Sequence, residues 1–409
     1  MKSAIVGIVD SLGRLKVKNL VTQKKVDNNR TTDYKFCNYL YVTDYNMSFN
    51  DQSPIFNTSL GYGDVKVVVD NEDSRTLNIN GDHDFYFGTV YNNDKLLNIC
   101  QRNILEKALK QLNLKNIYVK AGVELEFYVY KMKGDSYDGE KIVDYDTDYD
   151  FNQTISYHDL WDQLFELLSG AKIPVEGMKC ECGYGQFEIN LRYTDAAKVA
   201  DDVVLAKHLI KVYLAEKGYN CTFMAKPDIN DSGSGMHVHL SLHNKDGNRI
   251  CNDSYKQFWL GILHYLNDWL YFYAPNINSY KRLSNGSWTP VKSDFANDNR
   301  MSAIRLINEP KDRFEFRVPG ADASIYLVMT AVIYSGLAGI HNDCLNLDTN
   351  KNILLSFSEA ILAFKNSSLV KESLGSEVHE HFYTIAQNEI LSFSKHITDF
   401  ELKRYFKHC

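Results

Sequence analysis

The segment Gly122-Val-Glu-Leu-Glu-Phe-Tyr-Val129 places two carboxylates two residues apart inside an apolar run. Side chains at positions i and i+2 of a β-strand lie on one face, about 6.6 Å apart, so the segment predicts a strand with Glu124 and Glu126 side by side. The neighbouring residues Val123 and Leu125 are apolar, which indicates that the other face is covered as well. Two such carboxylates repel each other by about 2 to 3 kcal/mol at an effective dielectric constant of about 20, so a positive charge must compensate them.

Three further segments carry polar, charged or imidazole groups two residues apart: Gly185-Gln-Phe-Glu-Ile-Asn-Leu191, Gly235-Met-His-Val-His-Leu-Ser241 and Arg313-Phe-Glu-Phe-Arg-Val318. Taken singly, these segments have ordinary explanations. Glu124 and Glu126 could line the solvent-exposed face of an edge strand, the histidine pair could lie in a core, and Arg317 could simply pair with Glu315. Glu181 and Glu188, however, flank a glycine-rich turn and add two more carboxylates. Several glutamates and a histidine in one cavity would form an oxygen-rich site that favours Mg²⁺ or Mn²⁺ over zinc.

A basic group follows between residues 281 and 317. Arginine suits bidentate recognition of carboxylates and phosphates, and phosphoryl transfer depends on positioning and positive charge beside a divalent cation. The sequence contains no G-x-x-x-x-G-K-[S/T] loop, which excludes a P-loop nucleotidase. The basic residues are Lys281, Arg282, Arg300, Arg305, Arg313 and Arg317.

The composition predicts a folded, enzyme-sized protein. The chain has 409 residues, of which 44% are hydrophobic and 13% aromatic, so two domains and little disorder are expected. Its net charge of -7 provides no general attraction to nucleic acid. The apolar run at residues 4–9 is too short for a secretory signal. The uncharged stretch at residues 325–340 is shorter than a membrane-spanning helix. The spacing of the cysteines does not suggest a framework of disulfides. We expect a cytoplasmic protein with neither a nucleic-acid nor a membrane partner.

The pattern of the chain changes near residue 98. Strand formers dominate before it, as at residues 35–42 and 65–69, and helical spacing follows it. Within the larger part, a helix is predicted to begin at Thr194 and to end at Gly218. Residues 131–150 are predicted to form a solvated polar loop. We therefore place a small β-rich domain at residues 1–98 and a larger domain at residues 99–409.

The ordered motifs together resemble the glutamine synthetase family over nearly the whole chain. The matching motifs are Glu124-x-Glu126, Gly-x-Gly-Gln-x-Glu188, Lys226-Pro227, Gly233-Ser-Gly-Met-His237-x-His239, Asn278-Ser-Tyr-Lys-Arg-Leu283, Asn299-Arg300 with Arg305, and Glu315-x-Arg317. The resemblance implies an α+β fold with an N-terminal β-grasp domain and a catalytic domain built on a curved antiparallel sheet, or half-barrel, backed by helices. It also implies a homo-oligomer of stacked hexameric rings, with active sites between subunits.

The same resemblance implies roles for individual residues and a need for ATP with two or three Mg²⁺ or Mn²⁺ ions. One cation would be held by Glu126, Glu181 and Glu188, and another by Glu124, His237 and Glu315. Arg282 would bind the α-carboxylate of glutamate, and Arg317 its γ-carboxylate, beside Gly233 and His237. The phosphates and nucleotide would contact Arg300, Arg305, Arg313, His239 and Ser241. Asp44 would be lent to the site of a neighbouring subunit.

Two positions depart from the ammonium-using members of the family. Trp288 stands where those enzymes carry a glutamate on the flap, and Ser232 stands where they carry asparagine. An indole can pack an alkyl chain or attract an ammonium group by about 0.5 to 2 kcal/mol, although Trp288 could also simply pack the flap. The sequence thus predicts an ATP-dependent glutamate–amine ligase that uses a primary amine or polyamine. The alternatives are an ammonium-using glutamine synthetase, a non-catalytic scaffold of the same fold, and a guanidino kinase.

Overall fold

The protein consists of three β-sheets and a set of helices. The structure is a computed structural model, and it describes residues 3–21, 31–133, 139–146, 148–283, 288–307, 313–342 and 349–409. The N-terminal strands are β1 (Ser3–Val9), β2 (Leu15–Val21), β3 (Thr31–Cys37), β4 (Asp64–Asp70), β5 (Arg75–Asn78), β6 (Asp82–Phe87), β7 (Thr89–Asn92) and β8 (Lys95–Leu96). They form two sheets, in the orders β2-β1-β6-β5 and β3-β4-β7-β8. Alternate valines of β4 are buried, which explains why this segment reads as a strand.

The strand predicted at residues 35–42 is shorter than expected. It ends at Cys37, and residues Asn38–Tyr41 form a 3₁₀ turn. The side-chain oxygen of Asn38 accepts a hydrogen bond from the backbone nitrogen of Gly63 at 3.2 Å, and its own backbone nitrogen donates to the Gly63 carbonyl at 2.9 Å. These bonds offer the backbone an alternative to the strand ladder.

The large sheet carries the residues that the sequence singled out. Its strands are β9 (Tyr118–Lys131), β10 (Val175–Cys180), β11 (Gln186–Asp195), β12 (Tyr219–Thr222), β13 (Met236–His243), β14 (Phe295–Asn297), β15 (Ile304–Ile307) and β16 (Arg313–Phe316). The order is β10-β11-β9-β13-β16-β15-β14, with β12 added beside the end of β9. All pairs are antiparallel except β14 with β15, and the sheet is open along the described strands.

Helices cover the sheet. They are α1 (Gln101–Asn113), α2 (Phe151–Ser156), α3 (His158–Gly170), α4 (Ala196–Glu216), α5 (Asp253–His264), α6 (Leu270–Tyr273), α7 (Ser279–Arg282), α8 (Ile325–His341), α9 (Phe357–Asn366), α10 (Ser368–Leu374), α11 (Ser376–Ser394) and α12 (Asp399–Tyr405). The predicted helix after Thr194 is confirmed as α4, and Gly218 follows its end with φ of 83°. The uncharged stretch at residues 325–340 forms α8, which is buried against α1 and α5. Among the described residues, no helix has both the length and the apolarity needed to cross a membrane.

The α+β fold class is therefore confirmed: small N-terminal sheets precede a large sheet with helices. The domain boundary predicted at residue 98 falls between β8 and α1 and stays a prediction.

Candidate active site

Strand register gathers the acidic side chains on one face of the large sheet. Glu188 of β11 lies opposite Glu126 of β9 and, on its other side, opposite Lys179 of β10. Two residues along β9, Glu124 lies opposite His237 of β13. Directly opposed residues of antiparallel strands hold their side chains on the same face, about 4.5 to 5.5 Å apart. The sheet therefore brings together residues that are distant in the chain.

Glu126, Glu181 and Glu188 form the first cluster, with one carboxylate oxygen of each within 4.8 Å of the others. Glu126 and Glu188 are buried, and Glu181 follows β10 at the glycine-rich turn. Burial, together with the charges of the neighbouring glutamates, raises the pKa of Glu188 to about 10. Without a cation, the cluster holds a proton rather than three negative charges.

Glu124, His237 and Glu315 form the second cluster. His237 Nδ1 lies 3.3 Å from Glu124 Oε2 and 3.6 Å from Glu315 Oε1, and His239 Nε2 lies 2.8 Å from Glu124 Oε1. Burial acts to raise the pKa of Glu124, but hydrogen bonds from His237 and His239 outweigh burial and hold that pKa well below its ordinary value. This cluster therefore keeps its negative charge near neutral pH.

Two arginines hold Glu315, which is completely buried at the centre of β16. Arg305 lies opposite Glu315 in the register and donates from Nη1 to Glu315 Oε2 at 3.0 Å, and Arg317 Nη1 makes a close ion pair with Glu315 Oε1. Burial pushes the pKa of Glu315 upward, but His237 and Arg317 outweigh burial and leave that pKa below its ordinary value.

The donor chemistry of both clusters fits hard divalent cations. Mg²⁺ takes oxygen ligands at about 2.0 to 2.1 Å, so ligand atoms of one ion lie about 3 to 4 Å apart. One donor atom each of Glu126, Glu181 and Glu188 lies within 4.8 Å of the others, and the same holds for Glu124, His239 and Glu315. His237 lies within that distance of Glu124 and Glu188. His239 Nδ1 is buried and has no hydrogen-bond partner among the described residues. Oxygen donors with one imidazole favour Mg²⁺ or Mn²⁺ over zinc.

Arg282 is fixed beside the clusters by backbone carbonyls. Its Nη1 donates to the Val318 carbonyl at 2.8 Å and its Nη2 to the Arg317 carbonyl at 3.2 Å, and burial lowers its pKa to about 10. A Cβ atom at Gly235 would lie 2.6 Å from His237 Nε2 and 2.7 Å from Arg282 Nη2. Glycine is therefore required at Gly235 for the imidazole and the guanidinium to approach the strand.

A cleft of about 850 Å³, open to solvent, runs over this face of the sheet. Trp288 lines it with 62% of its surface exposed, whereas Gly286 and Ser287 of the same segment lie outside the described residues. The predicted site residues along the cleft are Glu126, Glu181, Glu188, Gly233, His237, Arg282, Trp288, Arg300 and Arg317, and Ser232 lies there too.

Three of the remaining predicted residues, Arg305, Arg313 and Asp44, do not line the cleft. Arg305 pairs with Asp298 as well as Glu315, and neither Arg305 nor Arg313 lines the cleft. Asp44 lies in a separate cavity of the same chain, beside Tyr45 and Glu389. Its predicted role would need a neighbouring subunit.

His239 and Ser241 continue along β13 from His237, and two residues that the sequence analysis missed adjoin them. Ser241 Oγ lies 2.6 Å from Tyr193 Oη and 3.0 Å from His243 Nε2, and His243 Nδ1 lies 3.0 Å from the Gly247 carbonyl. The alternation of β13 could have identified His243. Tyr193 lies where the register between β11 and β9 shifts, so no simple strand pattern could place it.

Further cleft residues were missed, among them Asp148, Tyr149 and Lys179. The first two belong to the segment predicted as a solvated polar loop, and both are exposed while they also line the cleft. Tyr149 adopts φ of 56°, and the Lys179 ammonium group lies 4.3 Å from the centroid of its ring. Lys179 stands two residues before Glu181, which was the available signal in the sequence.

Comparison with known proteins gives a consistent result. The family described as "Glutamine synthetase, catalytic domain" matches residues 98–405. The chain is 29% identical to the gamma-glutamylethanolamide synthetase of Streptomyces coelicolor, over 99% of this chain and 92% of that protein. It is 30% identical to the gamma-glutamylputrescine synthetase of Escherichia coli, over 75% of this chain and 71% of that protein. A solved structure titled "GmaS/ADP complex" has the same fold, with a TM-score of 0.85, 21% identity, and coverage of 100% of this chain and 97% of that one.

Proposed function

The chain belongs to the glutamine synthetase family, and from that premise we propose that it is an ATP-dependent ligase that joins the γ-carboxyl group of glutamate to a primary amine or polyamine. The observation that carries the proposal is the exposed indole of Trp288 in a cleft that also contains Glu126, Glu181, Glu188 and Arg282. The charged groups suit phosphoryl transfer, and the indole suits an alkylamine rather than ammonium.

The reaction has two balanced steps. A γ-carboxylate oxygen of glutamate attacks the terminal phosphorus of ATP, the bond to ADP breaks, and γ-glutamyl phosphate forms. The nitrogen of the amine then attacks the acyl carbon, phosphate leaves, and the nitrogen loses a proton to give the γ-glutamyl amide. The acyl phosphate supplies the good leaving group that a carboxylate lacks.

Arginines would position the reacting groups. Arg282, already oriented by two backbone carbonyls, would hold the α-carboxylate of glutamate, and Arg317 would face its γ-carboxylate. Arg300, which lines the cleft, and Arg305, which pairs with Glu315, would place positive charge near the phosphates. Such fixed donors stabilise developing charge without reorganising during the reaction.

Mg²⁺ or Mn²⁺ would be held by Glu126, Glu181 and Glu188 and by Glu124, His237 and Glu315. When bound, these ions supply the positive charge that the transferring phosphoryl group requires. The carboxylates of this chain would hold the ions in place, and His239 Nε2, which lies 2.8 Å from Glu124 Oε1, orients that carboxylate. His239, Ser241 and Arg313 would contact the nucleotide.

The amine would enter beside Trp288. The relatives named above act, by their names, on ethanolamine and putrescine, so the family accommodates different alkylamines. An exposed indole can cover an alkyl chain or face its ammonium group, at about 0.5 to 2 kcal/mol. Its place in the cleft supports an amine rather than ammonium as the nucleophile.

The proposal is tested by measuring ADP release with glutamate, Mg²⁺ and a panel of nucleophiles: putrescine, spermidine, ethanolamine, isopropylamine and ammonium. We expect a primary amine to give the highest kcat/KM and a product with the mass of the γ-glutamyl amide. Ammonium as the best nucleophile would identify a glutamine synthetase instead. Folded protein that forms no γ-glutamyl hydroxamate from glutamate, ATP and hydroxylamine would indicate a non-catalytic scaffold.

We further propose a homo-oligomer of stacked hexameric rings, in which Asp44 of one subunit completes the cleft of the next. Support comes from the position of Asp44 outside the cleft of its own chain. Mass photometry gives the number of subunits. Mixing Asp44→Ala subunits with inactive Arg282→Ala subunits should restore part of the activity if the site is shared, and no restoration would contradict the sharing.

A further inference from the structure

Lys179 brings a positive charge into the three-glutamate cluster. On β10 it lies opposite Glu188 in the strand register, so these two side chains share a face, and Glu181 follows just past the end of the strand. Its ammonium group makes a close ion pair with Glu181 and lies 3.8 Å from Asp148 Oδ1. The same group lies 4.3 Å from the centroid of the Tyr149 ring.

The ammonium group thus has two neighbouring binding positions, Glu181 on one side and Asp148 with the Tyr149 ring on the other. The Lys179 side chain is only 20% exposed, so the cleft holds it rather than bulk water. Burial acts to lower the pKa of Lys179, but Glu181 and Glu188 outweigh burial and leave that pKa above its ordinary value. The lysine therefore stays charged throughout the neutral pH range.

Glu181 cannot pair fully with the Lys179 ammonium group and with a divalent cation at the same time. Glu181 is one of the three glutamates assigned above to a divalent ion, and an oxygen paired with an ammonium group has less charge to offer a metal. An ammonium group that leaves Glu181 does not need to enter water, because a carboxylate and an aromatic face lie beside it.

We propose that Lys179 competes with the divalent cation for Glu181, and that cation binding shifts the ammonium group toward Asp148 and the ring of Tyr149. The lysine thereby sets the cation affinity of the three-glutamate site. An apparent affinity is reduced by the fraction of molecules that cannot bind, so a lysine that occupies Glu181 in about nine of ten molecules weakens cation binding about tenfold.

The affinity is measured by titrating Mn²⁺ and following free Mn²⁺ by electron paramagnetic resonance, without substrates. Lys179→Met should lower the Kd of the three-glutamate site about tenfold, while Lys179→Arg, which can still pair with Glu181, stays within about threefold of the wild type. Lys131→Met is the matched control, since Lys131 lies exposed on β9 of the same sheet and pairs with Glu140 at the surface. It should leave the Kd unchanged.

A second measurement needs no variant. Acetylation of the wild-type protein by an amine-reactive reagent, quantified by mass spectrometry, should increase at Lys179 when Mn²⁺ is added, because the ammonium group moves from Glu181, whose side chain is 14% exposed, to Asp148, whose side chain is 37% exposed. Labelling of Lys131 should not change. If Lys179 weakened cation binding only through its positive charge, without moving, then Lys179→Met would change the Kd for Mn²⁺ but Mn²⁺ would not change the labelling of Lys179.

This inference rests on the cation site of the proposed function, and the two can fail separately. Wild-type protein that binds no Mn²⁺ at the three-glutamate site would overturn both. If the wild type binds Mn²⁺ but Lys179→Met binds it equally or more weakly, or if Mn²⁺ leaves Lys179 labelling unchanged or lowered, only the competition is refuted.

Discussion

Replacing Glu188 by glutamine should make the metal-free protein less sensitive to alkaline pH. Glu188 is buried, and the oxygens of Glu126 and Glu181 lie within 4.8 Å of its own. At that separation each pair of charges repels by about 3 kcal/mol with an effective dielectric constant of about 20. The folded protein therefore keeps Glu188 protonated, whereas the unfolded chain releases that proton near its ordinary pKa of 4.5, far below the folded pKa of about 10.

The sign and size follow from proton linkage. A raised carboxyl pKa contributes stability that is fully present below the unfolded pKa and is lost as the pH rises toward the folded pKa. Each pH unit in that window costs about 1.4 kcal/mol, so the free energy of unfolding should fall by about 4 kcal/mol between about pH 5 and about pH 8 from this group alone. Glu188→Gln carries no such proton and should lack this component.

The assay is guanidinium unfolding followed by tryptophan fluorescence, at fixed protein concentration with a chelator, across that pH range. Glu176→Gln is the control, because Glu176 is an exposed carboxylate of β10. Saturating Mg²⁺ should flatten the pH dependence of the wild type, because the cation replaces the proton. Parallel pH profiles for the wild type and Glu188→Gln without Mg²⁺ would refute the crowding of charges on which the site is built.

Three other substitutions test the cleft. Trp288→Glu should shift the ratio of kcat/KM values for amine and ammonium toward ammonium by about tenfold, as measured by ADP release, and an unchanged ratio would remove Trp288 from the amine site. Arg282→Lys keeps the charge but loses the fork geometry, so the KM for glutamate should rise by about 10- to 100-fold while the KM for ATP changes little; an unchanged glutamate KM would contradict its assignment. Gly235→Ala should cost about 1 to 3 kcal/mol in denaturant unfolding and weaken Mn²⁺ binding, whereas Gly177→Ala, where an added Cβ meets nothing within 4 Å, should do neither; equal effects of the two would contradict the close packing at Gly235.

Spacing along single strands made much of the site predictable. Carboxylates and imidazoles two residues apart, as at Glu124 and Glu126 or at His237 and His239, must share a face of any strand that they occupy. The α4 helix also followed from local pattern, whereas the α+β class was implied by the family resemblance. The family resemblance supplied the pairing of distant segments, which no local rule gives.

Other features depended on register and loop geometry. Lys179 enters the cluster only because β10 pairs with β11 so that Lys179 lies opposite Glu188. Tyr193 reaches Ser241 through a shift in strand pairing, and Tyr149 reaches the cleft through a backbone with positive φ inside a polar segment. Composition predicted solvent exposure for that segment because it is rich in charged residues. The sequence pattern did not show that some of its residues also line the cleft.

The most direct test of the divalent-cation site is anomalous diffraction from crystals grown with Mn²⁺ and ADP. One manganese peak is predicted among Glu126, Glu181 and Glu188 and another among Glu124, His237 and Glu315, each within about 2.0 to 2.4 Å of its ligand atoms. A map with full nucleotide density but no anomalous signal at either cluster, and with these carboxylates turned away from the cleft, would contradict the account.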